Sequence, residues 1–147
     1  MFERRSLSCY NPSINFKYTD RLALLDIKGK KVLLALSKNK NTWFIPGGKR
    51  EKGETDKEAL IREIKEELAV DVVPDSIAYF TTLEGNAHGK PKGTKVRIAY
   101  YTCKYIGNPK PDSEIERIEY FSFANAPQLA ETGKLILNEL KLKGLIE

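Results

Sequence analysis

Short apolar runs, separated by glycine, proline and lysine, predict β-strands along much of the chain. Two of these runs, residues 21–27 and 31–37, flank Lys28-Gly29-Lys30, and together the three segments predict a β-hairpin. Later runs at residues 77–83 and 95–106 predict two more strands, and the second is rich in β-branched and aromatic side chains.

The remaining strands are expected near the two ends of the chain. One short strand is expected within residues 1–20, which are otherwise polar and mixed, and another within residues 115–123. Between the two central strands, residues 84–94 combine glycine and proline with lysine, which predicts a long loop.

Two stretches predict helices. The first covers Asp56 to about Leu68, where Thr55 and Glu58 are spaced as a capping box and apolar residues recur every four positions. The second is expected to open at Pro127, with these apolar positions: Leu129, Leu135, Ile136, Leu140 and Leu142. An order of strands, helix, strands and helix predicts an α/β (α+β) fold with a mixed sheet and helices packed on its faces.

The composition fits one globular domain spanning residues 1–147. Hydrophobic residues make up 41% and charged residues 31%, and no apolar run approaches the ~18 residues needed to span a bilayer. The N-terminus lacks the apolar centre of a secretory signal, and Cys9 and Cys103 do not form a disulfide framework. We therefore expect a cytoplasmic protein without membrane partners, either a monomer or a homodimer.

The chain carries a formal net charge of +5, but its lysines are dispersed and no arginine-rich stripe alternates with aromatic residues. This distribution argues against a nucleic-acid polymer as partner. Dispersed cations around an acidic helix suit a small phosphorylated molecule better, because lysine and arginine attract phosphate oxygens.

Three glutamates, Glu63, Glu66 and Glu67, share one face of the first predicted helix. At ~100° per residue, Glu67 and Glu63 fall at the border of the apolar stripe and Glu66 falls farther out. Crowded carboxylates repel one another, whereas hard divalent cations such as Mg²⁺ or Mn²⁺ bind them. The alternative is a solvated acidic face balanced by Arg62 and Lys65.

The surrounding residues favour the metal interpretation. Residues 48–70, called the box below, run Gly-x5-Glu-x7-Arg-Glu-Ile-Lys-Glu-Glu-Leu-Ala-Val and resemble the Nudix box, Gly-x5-Glu-x7-Arg-Glu-U-x-Glu-Glu-x-Gly-U, where U is bulky and apolar. The only departure is Ala69, which stands where the family has glycine. We expect the backbone to adjust at this helix end and activity to be retained, because Ala69 carries no reacting group.

The resemblance implies a Nudix α/β/α sandwich and a metal-dependent hydrolase that cleaves the pyrophosphate linkage of a nucleoside diphosphate joined to another moiety. It also implies roles for box residues. Metal ligation is implied for Glu63, Glu66, Glu67 and the carbonyl of Gly48; an orienting role for Arg62; and an acidic partner or outer-shell role for Glu54. In different members of the family the general base is one of the box glutamates, most often the one that matches Glu63, or a carboxylate from a later loop, and the resemblance implies the same choice here.

Five residues outside the helix are further candidates. Glu114 resembles an additional catalytic glutamate of MutT-like members, with Glu116 as second choice and a solvated rim as the alternative. Lys38 and Lys49 flank the box entrance and are candidates for substrate phosphate, although Lys38 equally fits a solvated loop. His88, the only histidine, lies in the Gly/Lys loop, where a surface position is the simpler interpretation.

Substrate choice depends on analogy. The subclass marks of ADP-ribose, NADH and coenzyme A enzymes are absent, and a short chain is similar to MutT-like nucleoside triphosphate pyrophosphohydrolases. An ADP-ribose or nucleotide-sugar pyrophosphatase is the alternative, and a non-catalytic binding module with this fold is the other hypothesis.

Overall fold

The structure, a computed structural model, describes residues 17–147. The strand expected within residues 1–20 therefore falls mostly outside the described residues, as does Cys9, while residues 17–20 belong to the first described strand. Nine strands and two α-helices occupy the described part: β1 (Lys17–Leu24), β2 (Ile27–Lys28), β3 (Lys31–Ser37), β4 (Gly47–Gly48), α1 (Asp56–Leu68), β5 (Asp71–Val72), β6 (Ala78–Asn86), β7 (Thr94–Thr102), β8 (Tyr105–Ile106), β9 (Ile115–Phe121) and α2 (Glu131–Leu142).

The central sheet has the strand order β4-β1-β7-β6. Strands β1 and β7 run parallel, whereas β1–β4 and β6–β7 are antiparallel, so the sheet is mixed. A second, antiparallel sheet has the order β2-β3-β9, and β5 pairs with β8. Among residues 17–147, neither helix is long and apolar enough to cross a membrane.

The sheets lie between the two helices. Side chains alternate along a strand, so Leu22 and Leu24 of β1 pack with α1 while Ala23 and Leu25 pack on the opposite side with α2. The core on the α1 side includes Leu60, Ile64 and Leu68, and that on the α2 side includes Ile136, Leu137 and Leu140. This arrangement confirms the predicted α/β (α+β) fold with a mixed sheet and helices on its faces.

Helix α1 spans the predicted residues and begins with the predicted capping box. The Glu58 N–H donates to the Thr55 hydroxyl, and the Thr55 N–H donates to the Glu58 carboxylate. The helix ends at Ala69, which adopts a left-handed conformation with φ 59°. The expected backbone adjustment is therefore wrong, because alanine accepts here the conformation that glycine adopts more easily.

The predicted hairpin of residues 21–27 and 31–37 is largely wrong. Only β2 pairs with β3, over Ile27–Lys28, while β1 belongs to the central sheet between β4 and β7. Both faces of β1 are buried at Leu22–Leu25, which suits a central strand better than one arm of a hairpin.

Two element boundaries also differ from prediction. The strand expected at residues 95–106 is interrupted at Cys103–Lys104, where the chain leaves the central sheet to pair with β5. The second helix begins at Glu131 rather than at Pro127. The preceding residues are extended instead, because the Trp43 N–H donates to the Gln128 carbonyl (2.9 Å) and Leu129 bridges to Trp43.

Candidate active site

The short strand β4 brings the glycine pair against the glutamates of α1. Gly47 and Gly48 pair with Ala23 and Leu22 of β1, which fixes their position beside the helix. The Gly47 N–H donates to Oε1 of Glu67 at 2.9 Å. A Cβ on Gly48 would lie 2.2 Å from Oε2 of Glu63, so this close approach requires glycine.

Arg62 organises the carboxylates around it. Its Nε and Nη2 donate to the two carboxylate oxygens of Glu54 at 2.7 and 2.8 Å, a bidentate pair. Its Nη1 donates to Glu63 at 3.1 Å and to Glu66 at 3.3 Å, and its Nη2 also reaches the Lys49 carbonyl at 2.9 Å. One guanidinium therefore links the loop before the helix to two of the three candidate ligands.

These contacts, together with burial, shift the pKa values of the carboxyl groups in the site. The bond from Arg62, helped by the Glu51 backbone N–H, lowers the pKa of Glu54 to about 2. Burial, opposed by the hydrogen bond from the Gly47 N–H and helped by nearby Glu63, raises the pKa of Glu67 to about 8. Burial also raises the pKa of Glu63, although the hydrogen bond from Arg62 opposes this shift.

The glutamates have the burial that the helical periodicity predicts. The Glu63 side chain is 16% exposed and that of Glu66 is 50% exposed, while Glu67 is half-buried. Within residues 17–147, no three Asp, Glu, His or Cys side chains converge closely enough to hold a metal ion as they stand. The donor set nevertheless fits a hard divalent cation, since three carboxylates share one helix face and Gly48 leaves no side chain between the loop backbone and Glu63.

A cleft of about 290 Å³ opens beside the glycine pair. Its floor is apolar and aromatic, with Trp43, Phe44, Ile98 and Tyr100 among the lining residues, and the first turn of α2 closes one side. Its charged lining residues are all basic: Arg21, Lys49 and Lys90, with His88 beside them. The cleft therefore combines an apolar surface with positive charge next to the carboxylates of α1.

The other predicted site residues lie outside this cleft. Lys38 is exposed at the end of β3, where its N–H donates to the Glu114 carbonyl at 2.9 Å. The Glu114 carboxylate is exposed and makes no hydrogen bond or ion pair with another described residue. Its loop does approach α1, because the Asp112 N–H donates to the Glu67 carbonyl at 3.1 Å. Glu116, the second choice, is exposed on β9.

Sequence reasoning missed Arg21 and gave too little weight to His88. Arg21 lines the cleft and is close enough to Glu63 and Glu67 to act on both electrostatically. In the sequence it stands only as the polar start of an apolar run, and the pairing of β1 with β4 and β7 is what brings it here. His88 is exposed, as the loop composition indicates, but it also lines the cleft.

Two curated proteins resemble the chain in sequence. A protein named ADP-ribose pyrophosphatase, from Methanocaldococcus jannaschii, is 30% identical over 116 residues, which are 76% of this chain and 66% of that protein. An m7GpppN-mRNA hydrolase from Saccharomyces cerevisiae is 33% identical over 94 residues, which are 63% of this chain and 9% of that protein. The chain thus spans less than two thirds of either relative.

Solved structures share the fold. MutT NUDIX hydrolase from Burkholderia pseudomallei matches with a TM-score of 0.71 and 20% identity, covering 84% of this chain and 98% of that chain. A nudix hydrolase family member from Chromobacterium violaceum matches with a TM-score of 0.67 and 30% identity, covering 86% of this chain and 78% of that chain. The family model of the NUDIX domain matches residues 18–140. This match covers most of the chain, including the helix and the glycine pair described above. The chain therefore belongs to the Nudix hydrolase family.

Proposed function

We propose that this protein is a metal-dependent hydrolase that cleaves the pyrophosphate linkage of a nucleoside diphosphate joined to another moiety, and that nucleoside triphosphates are its main substrates. One observation carries the proposal. The carboxylates that Arg62 holds lie next to an apolar cleft, which begins at Gly47 and Lys49. All the charged residues that line this cleft are basic. Phosphate oxygens and a flat nucleobase are the two ligand features that such a cleft suits.

The residues of α1 fit a divalent cation, Mg²⁺ or Mn²⁺. Glu63, Glu66 and Glu67 would hold it, with the Gly48 carbonyl as a further oxygen ligand. When bound, the cation supplies neutralisation of phosphate charge and activation of water near neutral pH. Arg62 keeps Glu63 and Glu66 oriented through its shared Nη1, because its Nε and Nη2 are fixed by Glu54.

The remaining groups bind and orient the substrate. Arg21 and Lys49 stand between the helix carboxylates and the cleft, where they can hold phosphate oxygens as charge develops on the leaving group. The aromatic floor offers an apolar surface to a base. The part-buried carboxylate beside Gly48, that of Glu63, is our choice for the base, with Glu114 as the assisting acid from the later loop.

An ADP-ribose or nucleotide-sugar pyrophosphatase remains the alternative, since the relative from M. jannaschii carries the name ADP-ribose pyrophosphatase. These substrates contain the same nucleoside diphosphate and would place the same pyrophosphate at α1. The difference lies in the group beyond it, so the reaction products separate the two proposals.

The test is a panel of nucleoside triphosphates, ADP-ribose and UDP-sugars with Mg²⁺, scored by the products. Nucleoside monophosphate with pyrophosphate supports the main proposal. AMP with ribose phosphate, or UMP with a sugar phosphate, supports the alternative. Excess chelator should abolish turnover; full activity in chelator would reject the metal assignment. No hydrolysis of any pyrophosphate compound would favour the non-catalytic binding module.

The variant Glu67→Gln tests the proposed role of Glu67 as a metal ligand. It keeps the side chain's shape and an oxygen that can accept from Gly47 N–H, but it removes the charge that a cation needs. We expect kcat to fall ~10²-fold or more with an unchanged melting temperature. Wild-type kcat in a folded Glu67→Gln protein would show that the metal is held elsewhere.

A further inference from the structure

The charged side chains that line the cleft are all basic, and of these Arg21 also lies near the carboxylates of Glu63 and Glu67. Arg21, Lys49 and Lys90 line the cleft, and no aspartate or glutamate is among its lining residues. None of these three side chains forms a hydrogen bond or an ion pair with another described residue. Every other described arginine is paired with a carboxylate: Arg50, Arg62, Arg97 and Arg117.

A neighbouring hollow differs from the cleft, because its lining includes acidic as well as basic side chains. The hollow is smaller and also borders Arg21, but its other arginines face acids, with Arg50 bound to Asp56 and Arg97 bound to Asp20. A cleft lined by charge of one sign attracts ligands of the opposite sign.

The unpaired cations lie at two separate ends of the cleft. Lys49 follows Gly48, which pairs with Leu22 of β1. The loop between β6 and β7, residues 87–93, ends where Thr94 pairs with Lys17, at the far end of the same strand. From Lys17 to Leu22 a strand rises ~17 Å, at ~3.3 Å per residue. Since lysine side chains reach several ångströms from the backbone, the charges of the two ends fit two anionic groups of one small molecule.

The loop is shaped to present its side chains to the cleft. It is closed at its base by the Ala87 N–H, which donates to the Thr94 carbonyl at 2.9 Å. Gly89 and Gly93 take positive φ values of 72° and 90°, which a side chain would oppose. His88 and Lys90, on either side of Gly89, line the cleft, whereas Lys92 does not, although all three are exposed.

We propose that His88 and Lys90 bind a second phosphate of the substrate, so that the preferred substrate is a nucleotide carrying one phosphate beyond the pyrophosphate that α1 cleaves. This inference rests on the proposed function and narrows its substrate class. Suitable compounds are nucleotides phosphorylated at the 2′ or 3′ position in addition to the 5′ chain. The imidazole N–H and the ammonium group would donate to the second phosphate, while Arg21 and Lys49 hold the first.

The test compares compounds that differ by one phosphate. The pairs are ADP-ribose with ADP-ribose 2′-phosphate, and ATP with ATP 3′-phosphate. In at least one pair the wild-type enzyme should prefer the phosphorylated member about tenfold in kcat/KM, the effect of one charge-assisted hydrogen bond. A ratio near one in both pairs would overturn the proposal while leaving pyrophosphate hydrolysis itself intact.

Three variants locate the effect. Lys90→Ala should bring the ratio toward one, Lys90→Arg should keep most of it, and Lys92→Ala is the matched control from the same loop. If Lys92→Ala lowers the ratio as much as Lys90→Ala, the preference comes from general charge and the assigned residue is wrong. Raising the salt concentration should weaken the preference, because the contact is electrostatic.

A binding measurement separates this proposal from the proposed function. Calorimetry with AMP and with adenosine 2′,5′- and 3′,5′-bisphosphate needs no turnover. At least one bisphosphate should bind the wild-type protein more tightly than AMP does, and this difference should be lost in Lys90→Ala. Hydrolysis of unphosphorylated ADP-ribose or ATP reports on the box alone. A chain that hydrolyses neither compound yet prefers a bisphosphate would refute the hydrolase and keep the second phosphate site; equal binding of AMP and both bisphosphates would refute the site.

Discussion

Gly47 and Gly48 are adjacent, yet the structure requires each of them for a different reason. A Cβ on Gly48 would meet the flexible end of the Glu63 side chain, with Oε2 2.2 Å away. A Cβ on Gly47 would meet backbone atoms, with the Leu22 carbonyl oxygen 2.1 Å away. Gly48 leaves room for the Glu63 carboxylate, and Gly47 leaves room for the backbone of strand β1.

We therefore expect Gly48→Ala to impair activity more than stability. The Glu63 carboxylate can rotate away at small cost. It then loses its hydrogen bond from Arg62 and moves out of the position proposed for metal binding. The melting temperature should change by only a few degrees, while kcat falls at least tenfold, since a misplaced catalytic group is costly. Kinetics and thermal unfolding of the same preparation test both parts.

Gly47→Ala provides the contrast. The clash with the β1 backbone forces β4 away from its partner, and overpacking of this kind costs about 1–3 kcal/mol or more. Chemical denaturation should show this loss. If Gly48→Ala were the more destabilising of the two, the assignment of the two contacts would be reversed.

Glu114 remains a prediction at the residue scale. Its loop is hydrogen-bonded to the end of α1 through Asp112, and its carboxylate is exposed and without a described partner. Loops at the rim of a site commonly close over a ligand when it binds. Glu114→Gln should lower kcat by ~10²-fold or more, with less change in KM and melting temperature.

Glu116→Gln is the internal control for that prediction. Glu116 is equally exposed and lies two residues along, but it belongs to β9 rather than to the loop. It should behave like the wild type. Equal effects of the two variants, or a larger effect of Glu116→Gln, would remove Glu114 from the site without affecting the glutamates of α1.

At the scale of an element, helix α1 carries both the site and an unfavourable end. Its start is well capped by Thr55 and Glu58, whereas its end places Ala69 in the left-handed region at φ 59°. A side chain in this region costs roughly 1 kcal/mol relative to glycine. The strain lies two residues from Glu67, so its relief tests whether the helix end affects catalysis.

Ala69→Gly should stabilise the protein by about 1 kcal/mol and leave kcat within a few-fold of the wild type. Chemical denaturation gives the first value and steady-state kinetics the second. A loss of a hundredfold or more in kcat would show that alanine at this position is tied to function. Unchanged stability would mean that the left-handed conformation costs less here than in other helices.

At the scale of the whole molecule, one buried carboxylate joins segments that are distant in sequence. Oδ2 of Asp26 accepts from the Tyr105 hydroxyl at 2.6 Å and from the Tyr120 hydroxyl at 2.7 Å, and Lys28 donates to Tyr105 at 2.9 Å. Asp26 itself is 7% exposed. The network holds the turn after β1 to β8 and β9, on residues that do not line the cleft.

Asp26→Ala should therefore destabilise the fold strongly. It leaves two part-buried hydroxyls without their acceptor, and each such group costs about 1–3 kcal/mol. Asp71→Ala is the control, since its ion pair with Lys65 is exposed at both ends and worth about 0–1 kcal/mol. Urea denaturation should separate the two variants clearly. Similar losses from both would show that the Asp26 network contributes no more than a surface pair.

The sequence by itself determined what depends on near neighbours. Helix α1, its capping box and the graded burial of Glu63, Glu66 and Glu67 follow from contacts within four residues, which a helix repeats along its length. The box also predicted that Gly48 approaches the helix and that Arg62 orients its glutamates. These local features carried the family assignment.

Only the tertiary structure decided what the cleft contains. Arg21 and His88 enter it because β1 pairs with β4 and β7, which are distant in sequence, and such pairing depends on which apolar faces are buried together. The same non-local choice separated β1 from the expected hairpin and extended residues 128–129 toward Trp43 instead of starting a helix at Pro127. Local propensity carries no information about a partner strand that lies 77 residues away, as β7 does from β1, so these features required the packed fold.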